Sequence, residues 1–203
     1  MSFVVSHNPF STRYLRPGTI PFLFDEESGE LEAMIDAFKQ GGYFGQVVGP
    51  HGCGKSTLCF SICESLCTEF DDFRFITIRS ASNIDVKASR GEGNGSKRSL
   101  TIIDGMEKLA ALPQQMSIAN LLKRESKDSL ANGLIITSHR PLSFVPILYR
   151  LAPSIESLKR VVYFLDPKNS IDQEELMRIY SKAGGNIREA LMLCYDRHAK
   201  ICR

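Results

Sequence analysis

The chain has 203 residues, of which 43% are hydrophobic and 24% charged, with a formal net charge of +2. This is the make-up of a soluble α/β-sized domain with a sizeable core, and the charge is too small to argue for nucleic acid or a membrane surface. No apolar run reaches the length of a membrane span, and the first ten residues lack a basic start followed by an apolar segment. The expectation is a protein with no secretory signal and a cytoplasmic location.

The chain starts with Asn8-Pro9-Phe10, Arg16-Pro17-Gly18 and Pro21-Phe22-Leu23-Phe24. Prolines at this density forbid a regular helix, so residues 1–28 read as an extended arm packed on the rest of the domain. Leu31, Met34, Ile35 and Phe38 recur at helical spacing over Glu30 to Gln40, and Gly41-Gly42 ends the run. Tyr43 to Val48 is a short buried strand, and Leu58, Ile62 and Leu66 place a helix that ends near Cys67.

Between that strand and helix lies Gly49-Pro50-His51-Gly52-Cys53-Gly54-Lys55-Ser56-Thr57, which satisfies G-x-x-x-x-G-K-[ST] in full. Glycines there let the backbone turn sharply and aim successive N–H groups at an anion. Lys55 supplies an ammonium for the β- and γ-phosphates, Ser56 a hydroxyl for Mg²⁺, and the helix its positive N-terminal end. The pattern predicts a nucleoside-triphosphate site, with Phe22 and Phe24 of the arm offering apolar faces to the base.

Phe73 to Ile78 alternates as a second strand, and residues 80–98 read as a mildly basic, glycine-rich loop with room for one helical turn over Ile84 to Ala88. Leu100-Thr101-Ile102-Ile103-Asp104 is a buried strand ending in an acid. A helix is expected from about Ser117 to Ser126, a strand over Gly133 to Ser138, and a short helix broken by Pro146 between Leu142 and Leu151. Arg160 to Leu165 reads as a fifth strand. Two helices come last, Asp172 to Ala183 and Ile187 to about Ile201, separated by Gly184-Gly185-Asn186.

Strands separated by crossovers predict an α/β fold: a parallel sheet of about five strands with helices on both faces, over residues 29–167. Residues 168–203 then form a small helical cap. Of the six cysteines, Cys59, Cys63 and Cys67 share the apolar side of the helix after the phosphate loop and read as core. Cys53 reads as a small residue tolerated inside the loop. Asp104, at the carboxyl end of a strand beside the phosphate loop, faces the ligand crevice and is the second magnesium-binding candidate after Ser56.

The phosphate loop, the acid-ended strand, the strand ending in Thr137-Ser138, and Gly184-Gly185-Asn186-Ile187-Arg188-Glu189 together resemble the AAA+ branch of P-loop ATPases. The Asn8-Pro9-Phe10 arm and the Gly-Gly-x-x-Arg cap are similar to compact AAA+ ATPases associated with bacterial secretion and transposition. The resemblance implies ATP and Mg²⁺ as cofactors. It also implies Thr137 or Ser138 as a first sensor of the γ-phosphate and Arg188 as a second. The sequence departs from the family directly after Asp104, where Gly105 replaces the usual catalytic glutamate and Glu107 is the nearest acid. Arg140, Arg150 and Arg160 are equal candidates for an arginine finger.

The resulting expectation is an ATPase that couples nucleotide state to its cap and to a macromolecular partner. A protein partner or self-association suits the family, while nucleic acid has only the basic 80–98 segment in its favour. Two alternatives stand beside it: a nucleotide-dependent switch with negligible hydrolysis, and a small-molecule or nucleotide kinase.

Overall fold

In the computed structural model, residues 8–16, 18–24, 29–80, 83–90, 98–108, 132–168 and 170–201 are described. The helix expected over Ser117 to Ser126 lies outside them. The elements are α1 (Glu30–Gln40), β1 (Phe44–Val48), α2 (Lys55–Ser65), β2 (Asp72–Ser80), β3 (Asn83–Arg90) and β4 (Ser99–Asp104). A 3₁₀ turn (Met106–Lys108), β5 (Asn132–Ser138), β6 (Ile147–Arg150), α3 (Ile155–Leu165), α4 (Gln173–Lys182) and α5 (Ile187–Ile201) complete them.

The strands form one sheet in the order β3-β2-β4-β5-β1-β6. The five from β2 to β6 run parallel, and β3 pairs antiparallel with β2 at one edge. Chain order and sheet order disagree, because β4 and β5 lie between β2 and β1. That places the carboxyl ends of β1, β4 and β5 side by side, where the loops that leave them can share one ligand crevice.

Side chains alternate between the two sheet faces as the pleat requires. Val47, Phe73, Leu100, Ile102 and Ile135 pack with Met34 and Phe38 of α1 and Leu58, Cys59 and Ile62 of α2. Ile78, Ile103, Leu134 and Ile136 point to the opposite side and pack with Met106, Leu142 and Val145. Cys59 and Cys63 lie in the first cluster, and burial pushes the Cys63 thiol up to about 12. Core packing explains both residues.

Three segments differ from expectation. Residues 83–90, read as loop with a helical turn over Ile84 to Ala88, instead form β3, in register from Asp72 opposite Arg90 to Ile78 opposite Ile84. Ile84, Val86 and Ala88 alternate with polar neighbours, which suits a strand at a sheet edge. Residues 91–97 lie outside the described ones. The fifth parallel strand is β6, inside the segment expected to be a broken helix. Pro146 stands just before it, where its carbonyl accepts the Gln46 N–H at 2.8 Å and its missing donor costs nothing on an edge strand. Leu148 then packs so closely that a Cβ on Gly45 would overlap its side chain.

Arg160 to Leu165, read as a strand, is the second half of α3. Its β-branched and aromatic run favours a strand locally, but tertiary packing decides otherwise. Leu158 and Val162 are buried one turn apart, Tyr163 and Phe164 are exposed, and the Ser154 hydroxyl caps the helix by accepting the Ser157 N–H at 3.1 Å.

Leu158 and Val162 of α3 share a third cluster with Ile171, with Leu176 and Ile179 of α4, and with Ile187, Leu191 and Cys194 of α5. The cap therefore draws on three helices. The arm completes it: Phe10 is fully buried in this cluster, and Asn8 donates from Nδ2 to the Tyr195 carbonyl at 2.9 Å. Farther along the arm, the Phe22 N–H is donated to Ser61 Oγ on α2 at 2.8 Å, and Phe22 meets Phe24 edge-on at 4.7 Å. One irregular segment thus touches both the cap and the helix behind the phosphate loop.

Candidate nucleotide site

The loop from Gly49 to Gly54 leaves the end of β1, and its first N–H is donated to the Ser138 carbonyl of β5 at 3.1 Å. Two of its glycines hold left-handed backbone, with φ of 69° at Gly52 and 96° at Gly54, where L side chains are strained. At Gly49 the reason is space: a Cβ there would lie 2.8 Å from Cys53 Sγ and 2.9 Å from Leu151 Cβ. Gly54 then caps α2 at its N-terminus, which begins at Lys55. The Phe22 ring passes 3.3 Å from the position a Gly54 Cβ would take, so the arm borders the loop.

Lys55 is buried, and its Nζ donates to the carbonyls of Gly49 and Pro50 at 2.7 and 2.8 Å. The Lys55 side chain thus folds back onto the loop that precedes it. Cys53 is buried beneath the loop. Burial raises its thiol above the ordinary value against the opposing pull of Lys55, so the redox-reactive thiolate is disfavoured.

Asp104 is the centre of a three-element cluster. Its Oδ2 accepts the Ser56 hydroxyl of α2 at 2.9 Å, and its Oδ1 accepts the Thr137 hydroxyl of β5 at 2.5 Å. The carboxylate and the Ser56 hydroxyl are hard oxygen donors of the kind that suit Mg²⁺ beside phosphates. The two polar residues ending β5 are separated by the pleat. Thr137 turns to Asp104, whereas Ser138 is buried on the other side, donating to the Arg140 carbonyl at 2.8 Å and lying 3.3 Å from Gln46 Oε1.

Gln46 is a residue that the motifs do not single out. It is fully buried in β1, donates to the carbonyls of Leu142 and Val145, and accepts the Leu142 N–H at 2.9 Å. One side chain thus pins the segment after β5. A polar residue in an otherwise apolar strand is the available signal, since a buried amide must find partners.

Glu107 lies in the 3₁₀ turn, with Oε1 3.3 Å from Nε2 of His139, the residue after Ser138. The His139 ring in turn meets the ring of His51, in the phosphate loop, edge-on at 3.8 Å. Burial, with help from Lys55, His51 and Lys108, lowers the pKa of His139 against the opposing effect of Glu107. Sequence reasoning does not reach His139, although its position next to the first-sensor strand is a usable signal.

Arg188 is exposed in the first turn of α5, and its backbone N–H is donated to the Gly52 carbonyl at 3.2 Å. The Gly184-Gly185 turn before it has positive φ at both glycines, 58° and 79°. Of the finger candidates, Arg140 and Arg150 are exposed, and Arg160 lies on α3 with Nη2 3.4 Å from Ser157 Oγ. The structure therefore gathers the phosphate loop, Ser56, Asp104 and Thr137 at one point, with Glu107 reaching it through His139 and Arg188 reaching it through its backbone.

No protein-family model matches the sequence, and neither does any curated protein. Solved structures do match. Drosophila ORC bound to DNA superposes with a TM-score of 0.60 at 17% identity, over 96% of this chain and 61% of that one. ORC1 of Aeropyrum pernix in complex with DNA gives 0.60 at 14% identity, over 94% of this chain and 65% of that one. A Thermotoga maritima RuvB variant gives 0.52 at 19% identity, over 85% of this chain and 61% of that one. This chain spans less than two thirds of each. What the likeness shows is the fold: the sheet with five parallel strands and its flanking helices are shared with these ORC and RuvB structures.

Proposed function

We propose that this chain binds ATP with Mg²⁺ at the phosphate loop and hydrolyses it, coupling nucleotide state to the helical cap and to a macromolecular partner. The observation that carries the reading is the convergence of Ser56 and Thr137 on Asp104 directly behind a complete phosphate loop. Backbone N–H groups of residues 49–55 and the Lys55 ammonium bind the phosphates. Ser56 and Asp104 would hold Mg²⁺, which would supply positive charge to the phosphate oxygens when bound. Thr137 orients Asp104, Glu107 accepts a proton from water, and Arg188 meets the γ-phosphate when the cap closes.

A second reading is favoured by one observation. Gly105 has φ of 88°, and a Cβ there would lie 2.5 Å from the Ile78 carbonyl oxygen, so a glutamate cannot occupy the family's usual base position. A protein without an effective base is a nucleotide-dependent switch that turns over slowly. Two of the structures sharing the fold were solved with DNA, which makes DNA the first partner to test.

The test is calorimetry of ATP binding by the wild type and Lys55→Ala, with phosphate release measured with and without DNA and light scattering with and without nucleotide. The expected result is Mg²⁺-dependent binding that Lys55→Ala weakens by about tenfold or more, since a hydrogen bond to a charged group contributes roughly 1.5–3 kcal/mol. Unchanged affinity in Lys55→Ala overturns the site. Tight binding without phosphate release selects the switch, and transfer to a small acceptor selects a kinase.

A further inference from the structure

The phosphate loop carries glycine at 49, 52 and 54, and such a chain has much conformational freedom to lose before its N–H groups can converge on an anion. Contacts from three directions remove that freedom. At the start of the loop, the Gly49 N–H is donated to the Ser138 carbonyl of β5 at 3.1 Å. From its far end, Lys55 Nζ ties down the carbonyls of Gly49 and Pro50, and from the cap the Arg188 N–H reaches the Gly52 carbonyl at 3.2 Å. Between these anchors stands His51, exposed, with its ring centroid 3.8 Å from that of His139 and the two rings edge-on.

The surroundings of the two rings decide which one holds the other. His139 belongs to a segment fixed against β1, the strand that feeds the loop. There Gln46 accepts the Leu142 N–H at 2.9 Å and donates to the carbonyls of Leu142 and Val145, while Ser138 donates to the Arg140 carbonyl at 2.8 Å. The His139 side chain is only 25% exposed. Burial, with Lys55, His51 and Lys108 and against Glu107, holds its pKa below the usual value, so at neutral pH it offers His51 a neutral ring. His139 is the fixed partner and His51 the guided one.

We propose that His139 is a positioning residue for the phosphate loop: its ring fixes His51, and through it the Pro50-His51-Gly52 backbone, in the conformation that receives the phosphates. The inference rests on the ATP-binding reading above and deepens it. A loop already held loses less freedom when a nucleotide binds, so the ring contact raises affinity without touching the ligand. Because it acts on the loop as a whole, its effect is the same for ATP and ADP.

The experiment is calorimetry of ATP and ADP binding, with Mg²⁺, by the wild type, His139→Ala, His139→Phe, His51→Ala and the double alanine variant, with thermal melts to establish that each is folded. His139→Ala should weaken both nucleotides equally, by about three- to tenfold, the range an edge-on aromatic pair supplies. His51→Ala, at an exposed position, carries the same expectation. His139→Phe keeps a ring against His51 and should stay within about twofold of the wild type. The double variant should bind no more weakly than the weaker single one, because the two residues act through one contact. Unchanged affinity in His139→Ala, no rescue by His139→Phe, or additive losses in the double variant overturns the positioning role alone. A loss confined to ATP also overturns it, and would make the rings γ-phosphate contacts. A wild type that binds neither nucleotide overturns the ATP-binding reading and this role with it.

Discussion

Asn186 of the cap occupies the space that a side chain on Gly52 would need: its Oδ1 overlaps the ideal Cβ position. The same oxygen accepts the Glu189 N–H at 3.1 Å and so caps α5, while the Arg188 N–H of that first turn reaches the Gly52 carbonyl. Phosphate loop and cap thus meet through one glycine. Gly52→Ala should destabilise the protein through both the clash and a left-handed φ, the latter alone costing about 1–2 kcal/mol. Asn186→Ala loses the cap, about 1 kcal/mol. Denaturant unfolding of the double variant should show it more stable than the sum, by roughly 0.5–3 kcal/mol, because the clash has lost its partner. Strict additivity would mean the two loops are apart in solution.

Asp104→Asn should leave the fold intact, because an amide still accepts from one hydroxyl and the other hydroxyl can rotate to accept. Nucleotide affinity should lose most of its Mg²⁺ dependence and turnover should be abolished. Titrations with and without Mg²⁺ check this. Normal turnover in the variant would reduce Asp104 to a strand-end acid that orders Ser56 and Thr137.

Arg188→Ala separates sensing from packing. The backbone N–H that touches Gly52 survives the substitution, so the cap should stay docked. If the guanidinium reaches the γ-phosphate, the variant should lose the extra thermal stabilisation that ATP gives over ADP, while ADP affinity is nearly unchanged. Equal losses for the two nucleotides would assign Arg188 to the cap's own stability.

Phe10→Ala should be among the most damaging substitutions away from the nucleotide site. The ring is fully buried among α3, α4 and α5, and truncating such a side chain costs about 3–5 kcal/mol. Chemical denaturation measures it directly. A loss below about 1 kcal/mol would mean the arm is not seated on the cap.

The chain is most readable where one physical demand dominates. The phosphate loop, β1, β2, β4, β5, α1 and the two last helices carry strong periodicity or an unmistakable glycine pattern, and all are legible at nearly their observed bounds. The failures fall where local preference and packing disagree. Val161, Val162, Tyr163 and Phe164 look like a strand until Ser154 and the Leu158–Val162 spacing are weighed together. Pro146 suggests a broken helix, yet it precedes an edge strand that has no need of its N–H. At the candidate site, Lys55 and Ser56 follow from the loop motif and Asp104 from its place at a strand end, whereas Thr137 and Ser138 come only as alternatives through the family resemblance, and the pleat separates them. The pairing of His51 with His139 cannot be named from motif, because it joins residues from two loops that only the sheet order brings together.

The seating of Phe10 and Asn8 on the cap also bears on how the protein is made. Asn8 bonds a residue 187 positions later in the chain. At translation rates of about 5–20 residues per second, the arm waits roughly 10–40 s before its berth on α5 has been synthesised. Until then the sheet can form, whereas Phe10 has no complete socket, because α5 is one of the three helices that line it. Closing so long a loop is entropically only modestly worse than closing one half its length, by about 0.6 kcal/mol, so the delay comes from synthesis rather than from the search. The arm is therefore the last clasp to fasten in biogenesis, and a chain stalled before α5 emerges leaves Phe10 and the apolar sides of α3 and α4 without their cover.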